Sequence, residues 1–135
     1  MSGGKIVVDT NVVSHIMKGD DLGRAYALHL RGKLASVSFI TVGELYFGAE
    51  KRNWGEKRRK QLECGLKNYV VIPYDNEIAR HYGKIVAERE RSGKPISCSD
   101  AWIAACAVRH RVPLITHNVK DFESIANLKV ITEYE

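Results

Sequence analysis

Short, β-branched apolar runs alternating with longer stretches of helical periodicity predict an α/β fold, a three-layer α/β/α domain on a central parallel sheet of about five strands. The strand runs fall at residues 5–9, 34–38, 69–72, 114–116 and 129–131. Each is apolar on both faces, as expected where helices cover both sides of a sheet. Helical patterns fall between them, near residues 11–17, 22–31, 42–52, 54–67, 76–91, 98–110 and 122–126. With 135 residues and no repeat, low-complexity tract or linker, residues 1–135 read as a single domain with a sizeable core.

The helix boundaries have local reasons. Thr41 with Glu44, and Ser97 with Asp100, fit the capping-box pattern, and Asp75 is placed to cap the helix at 76–91. In that helix Ile78, Tyr82, Ile85 and Val86 share one face and predict its core side. Ser92-Gly93-Lys94-Pro95 should end it. Ile103, Ala104, Ala107 and Val108 form the corresponding stripe behind Asp100. Gly43 and Gly48 thin the helix around Glu44, which predicts close approach by substrate or sheet.

Composition narrows the class. A hydrophobic fraction of 44% and a charged fraction of 27% are those of an ordinary soluble protein. No stretch approaches the roughly 20 apolar residues of a membrane span, and the first apolar run stops at Asp9, unlike a secretory leader. The expectation is a cytoplasmic protein without a membrane partner. Met1-Ser2-Gly3-Gly4 precedes that run and is read as functionless. Cys64, Cys98 and Cys106 are odd in number and lack Cys-x-x-Cys spacing, against a disulfide framework or zinc knuckle. Cys98 and Cys106 are expected to be buried thiols. The histidines lack zinc spacing. The net charge is +5, and Lys51, Arg52, Lys57, Arg58, Arg59 and Lys60 crowd one segment with Trp54. That segment is either a solvated helix face or a phosphate-tracking patch with an aromatic available for base stacking.

Four acids stand beside structural transitions: Asp9 after Ile6-Val7-Val8, Glu44 in Thr41-Val42-Gly43-Glu44-Leu45, Asp100 before Ala101-Trp102-Ile103, and Asp121 after Thr116-His117-Asn118-Val119-Lys120. Each has a bland explanation, as an N-cap, a capping-box member or an Asx turn. Together they fall where one edge of a parallel sheet would gather them. Two charges about 4 Å apart repel by about 4 kcal/mol at an effective dielectric near 20, so such a cluster takes up protons or binds cations. Oxygen-only ligation suits Mg²⁺ or Mn²⁺ better than zinc, and such ions commonly bridge carboxylates to phosphate oxygens. Phosphodiester hydrolysis follows as a hypothesis.

Val8-Asp9-Thr10-Asn11, Ile40-Thr41-Val42-Gly43-Glu44-Leu45, Ser99-Asp100-Ala101-Trp102-Ile103-Ala104-Ala105 and Leu114-Ile115-Thr116-His117-Asn118-Val119-Lys120-Asp121-Phe122, in this order over essentially the whole chain, resemble the PIN-domain nucleases, most closely VapC toxins of type II toxin–antitoxin modules. The resemblance implies a PIN-like fold and a Mg²⁺- or Mn²⁺-dependent endoribonuclease acting on structured RNA (tRNA or rRNA). It implies an acidic site of Asp9, Glu44, Asp100 and Asp121, with Asp9 and Asp100 the firmest metal ligands. Thr116, Asn118 and Asn11 would position water or substrate, and Arg52, Lys57, Arg58 and Arg59 are candidates for the RNA backbone. A small antitoxin protein and a homodimer are the implied partners. Cys98, beside the Asp100 motif, departs from the usual pattern. The competing readings are a structure-specific DNA nuclease and a non-catalytic RNA-binding module whose acids only cap helices.

Overall fold

The computed structural model describes residues 4–134; Met1-Ser2-Gly3 and Glu135 lie outside the described residues. The chain runs β1 (Lys5–Val8), α1 (Thr10–Lys18), α2 (Asp21–Leu30), β2 (Leu34–Ser38), α3 (Phe39–Lys51), α4 (Glu56–Leu66), β3 (Val70–Ile72), α5 (Asn76–Arg91), α6 (Cys98–His110), β4 (Leu114–Ile115), a 3₁₀ turn (Val119–Phe122) and β5 (Val130–Ile131). All strand pairs are parallel, in the order β3-β2-β1-β4-β5. The predicted five-stranded parallel sheet is therefore present.

Alternation along β1 divides the core. Ile6 and Val8 join Val37 and Ile115 against Val12 and Val13 of α1 and Tyr26 of α2. Val7 points the other way and joins Ile72 and Leu114 against Ile78 and Ile85 of α5 and Ile103, Ala104 and Ala107 of α6. Both faces are thus dry, which is why these strands are apolar throughout. A smaller cluster of Ala49, Leu62 and Leu66, backed by Trp54, seats α4 on α3.

Three local expectations are corrected. Helix α3 starts at Phe39, because Ser38, the last residue of β2, caps it by accepting from the Ile40 N–H at 3.2 Å. Thr41 is therefore inside the first turn and fully buried, and it does not form a capping box with Glu44. Residues 122–126 form no α-helix; the 3₁₀ turn ends at Phe122, and Ser124 takes φ +63°, which a right-handed helix cannot contain. Cys98 is exposed, whereas Cys106 is buried with its thiol 3.4 Å from Ser38 Oγ. Ser97 and Asp75 do cap α6 and α5, accepting from the Asp100 N–H at 3.2 Å and the Ile78 N–H at 2.7 Å.

Glycine serves the α1–α2 corner. Gly19 ends α1 in the left-handed conformation at φ +69°. At Gly23 a Cβ would lie 2.0 Å from the His15 carbonyl oxygen, so α2 reaches α1 only without a side chain there. At Gly43 a side chain would meet no protein atom within 4 Å, so the sheet does not exploit the thinning of α3 expected there. Gly23→Ala should accordingly lower stability by about 3 kcal/mol through overpacking. Gly43→Ala should raise it by up to about 1 kcal/mol through helix propensity. Urea denaturation measures both, and equal effects would contradict this packing.

Candidate active site

From β1 the chain moves to β2 and β3 on one side, then returns to β4 and β5 on the other, so β1 and β4 meet where the topology switches. Loops leaving adjacent strands in opposite directions open a crevice at their carboxyl ends. Asp9 is the first residue past β1 and Thr116 the first past β4. The ladder brings them together: the Asp9 N–H donates to the Ile115 carbonyl at 3.0 Å, and Thr116 Oγ1 donates to Asp9 Oδ2 at 2.6 Å.

Asp9 is 3% exposed. It caps α1 by accepting from the Thr10 N–H at 2.8 Å, and Asn11 Nδ2 donates to Oδ2 at 3.2 Å. The cap and the buried acid are thus one residue with both roles. Asn11 also accepts from the His117 N–H at 3.2 Å, tying α1 to the loop after β4. Thr10 Oγ1 lies 2.6 Å from Glu44 Oε1, to which it donates, and 2.9 Å from Thr41 Oγ1. Thr10 and Thr41 thereby link Glu44 of α3 to the Asp9 turn. The sequence alone marks neither as a site residue: Thr10 directly follows Asp9, and Thr41 fits a capping pattern.

Asp100 sits in the first turn of α6, half-buried. Asp121 is exposed within the 3₁₀ turn. Asn118 is exposed too, and its backbone N–H donates to Thr116 Oγ1 at 3.0 Å. Burial raises the Asp9 carboxyl from 3.8 to about 6, opposed by the hydrogen bonds from Thr116 and Thr10 and reinforced by the negative fields of Asp100 and Glu44. Burial also raises Asp100, with Asp121 and Glu44 adding to it and the Ser97 hydroxyl and the Arg89 charge opposing it. Asp9, Glu44 and Asp100 therefore form one field of mutually repelling acids, with Asp121 facing Asp100.

No Lys, Arg or His forms an ion pair with any of the four among the described residues. Nor do three His, Cys, Asp or Glu side chains there close on one point as a ready-made metal cage. This donor set fits a hard cation of the kind held by one or two carboxylates with water completing its shell. Asp9 and Asp100 would hold it, within the negative fields of Glu44 and Asp121.

The basic residues lie further along. Arg52 ends α3, eight residues beyond Glu44, or about 12 Å along the helix axis. Arg59 is engaged within the protein, ion-paired with Glu50 and donating from Nε to the Trp54 carbonyl at 2.6 Å. The Arg58 guanidinium lies 4.1 Å from the Trp54 ring centroid, covering a face that base stacking would need. Lys57 is exposed.

The fold is that of a PIN domain, and the PIN-domain family model matches residues 6–128. Ribonuclease VapC2 of Haemophilus influenzae strain Rd is 34% identical over 125 residues, covering 93% of this chain and 95% of that protein. The tRNA(fMet)-specific endonuclease VapC of Shigella flexneri is 30% identical over 125 residues, with the same coverage. A crystal structure of VapBC2 from Rickettsia felis, bound to a DNA fragment from their promoter, matches with a TM-score of 0.86 at 25% identity, covering 95% of this chain and 98% of that one. The chain belongs to the PIN-domain family, among its VapC ribonucleases. Members of this family generally need divalent metal ions. No helix among the described residues is long and apolar enough to cross a membrane.

The raised Asp9 carboxyl makes a signed prediction for metal-free protein. Its folded value of about 6 lies above its unfolded 3.8, so its contribution is most favourable below 3.8 and is lost as pH rises through 6. At neutral pH the ionised group costs the fold about 3 kcal/mol. Asp9→Asn should remove that loss, making the metal-free variant the more stable protein at pH 7.5. Mn²⁺ should raise the melting temperature of the wild type and leave the variant nearly unmoved. Thermal denaturation with and without EDTA reads both effects.

Proposed function

We propose that this protein, an endoribonuclease and the toxin of a type II toxin–antitoxin pair, hydrolyses phosphodiester bonds in structured RNA with Mg²⁺ or Mn²⁺ held between Asp9 and Asp100. The observation that carries the reading is a buried Asp9, without a cationic partner, held by Thr116 at the topological switch and repelled by Asp100 and Glu44. Helix capping explains the bond from Thr10, but not why further acids surround an already buried one. A bound divalent ion supplies Lewis-acid polarisation of the phosphate and acidifies water. Thr116 and Asn11 donate to Oδ2 of Asp9 and the Thr10 N–H donates to Oδ1, so the carboxylate's orientation is set before substrate arrives. Thr10 does the same for Glu44, leaving the second Glu44 oxygen to orient the attacking water. Asp121, on its exposed turn, would act on substrate or water beside Asp100.

Lys57, Arg52 and Arg58 at the α3–α4 junction offer charge to the RNA backbone, and Arg59 supports that junction through Glu50. A relative named for tRNA(fMet) supports tRNA as the first substrate to test, with ribosomal RNA second. A small antitoxin is the protein partner, in keeping with the VapBC pairs among the matching structures. The exposed Tyr46 and Phe47 on α3 supply apolar surface for it or for a second copy in a homodimer.

Purified protein should cut tRNA with Mg²⁺ or Mn²⁺ and stop with EDTA. Asp9→Asn and Asp100→Asn should each lose more than about 100-fold in rate while folded, and Thr116→Val about 10- to 100-fold. Undiminished cleavage by both aspartate variants would sink the assignment. Lys57→Ala should weaken RNA binding uniformly and reduce the slope of log affinity against log salt by about 1, as for one lost phosphate contact.

A further inference from the structure

Ile78, Tyr82 and Ile85 set the buried stripe of α5, and the next position at helical spacing is Arg89. It reads from sequence as part of a solvated run, Glu88-Arg89-Glu90-Arg91, yet it is only 7% exposed. A buried charge requires compensation, and no carboxylate among the described residues forms an ion pair with it. Backbone carbonyls compensate it instead. Nε donates to the Lys94 carbonyl at 2.7 Å, and Nη1 donates to the carbonyls of Asp121 at 3.0 Å and Glu123 at 3.1 Å.

Those carbonyls belong to two segments that frame the acidic site. Lys94 lies in the loop leading into α6 and Asp100, whereas Asp121 and Glu123 lie in the turn that carries the fourth acid. Phe122, buried in the core, anchors the side-chain face of that turn, while the carbonyls of Asp121 and Glu123 are held by Arg89. Ser124 follows at φ +63°, a conformation costly for a residue with a side chain. A recess of about 240 Å³ beside it is lined by Ile85, Glu88, Arg89, Ser92, Ser124 and Ile125. A planar guanidinium can grip both segments at once, which neither an apolar side chain nor a single ammonium reproduces.

We infer that Arg89 is a positioning residue for RNA cleavage: its guanidinium clamps the Asp121 turn to the loop entering α6 and so sets the distance of Asp121 from Asp100. The inference rests on the nuclease reading above. It places Arg89 outside the reacting atoms and makes its effect pass through Asp121.

The test is a double-substitution cycle on the full chain. Arg89→Leu and Arg89→Lys are each made alone and with Asp121→Asn. Each protein is assayed for the single-turnover rate of cutting total bacterial RNA and for the Mn²⁺ concentration giving half its rise in melting temperature. Arg89→Leu should slow cleavage 10- to 100-fold and weaken Mn²⁺ binding, and Arg89→Lys should recover part of both. In the Asp121→Asn background Arg89→Leu should change the rate less than about threefold. Wild-type cleavage by Arg89→Leu, or the same fold loss in both backgrounds, would overturn the inference; the second result would mean a general structural role. If Arg89→Leu fails to fold, Arg89→Lys carries the cycle alone, with the same outcomes deciding. If the wild type cuts no RNA, the nuclease reading fails separately, and an unchanged Mn²⁺ midpoint in the Arg89 variants would still overturn the clamp.

Discussion

The hydrogen bond from Thr116 to Asp9 is the contact on which the site depends, and it exists because β1 and β4 are parallel neighbours in register. Val8 faces Ile115, so the next residue of each strand emerges side by side at the carboxyl edge. One is an acid and the other its hydroxyl donor. The intervening six helices and two strands separate them by more than a hundred positions, yet the ladder reduces that separation to a single bond. The remaining contacts elaborate on it: Asn11 donates to the same carboxylate oxygen, the Thr10 N–H holds the other, and the Thr10 hydroxyl carries the connection to Glu44.

Burial at this point costs stability, and the cost is the clue to chemistry. An aspartate in a dry crevice beside two other acids is a poor structural choice, because neither hydrogen bonding nor capping cancels the repulsion. A divalent cation bound there would offset the unfavourable charge, so a metal site at Asp9 would couple binding to stability. The excess positive charge of the chain, concentrated near the α3–α4 junction, complements a polyanionic substrate.

The four acids stand on four different elements, and each is held differently. Asp9 is fixed by strand pairing, Glu44 by a threonine on another helix, Asp100 by its place in the first turn of α6. Asp121 rides on a short 3₁₀ turn gripped from below by Arg89. The last of these supports is the least regular, since neither a ladder nor an α-helix continues through it. The geometry of the site is therefore most sensitive to tertiary contacts at Asp121.

Local physics made much of this protein readable in its residues. Two-faced apolar runs determined the parallel sheet and its covering layers, and Ser97 and Asp75 announced the helices they cap. The order of the acidic motifs determined which residues to bring together. Tertiary structure alone decided three other matters. Ser38 displaced the cap expected at Thr41, because β2 runs directly into α3 without a loop and leaves Thr41 buried against Thr10. The helix predicted at residues 122–126 is absent: the 3₁₀ turn ends at Phe122, Ser124 takes a positive φ, and the Glu123 carbonyl accepts from Arg89 rather than from a helical N–H. Arg89 itself looked solvated because a charge run on a helix is usually outside. Its burial becomes favourable only when carbonyls from distant segments converge on it, and side-chain patterning cannot reveal where backbone carbonyls will meet.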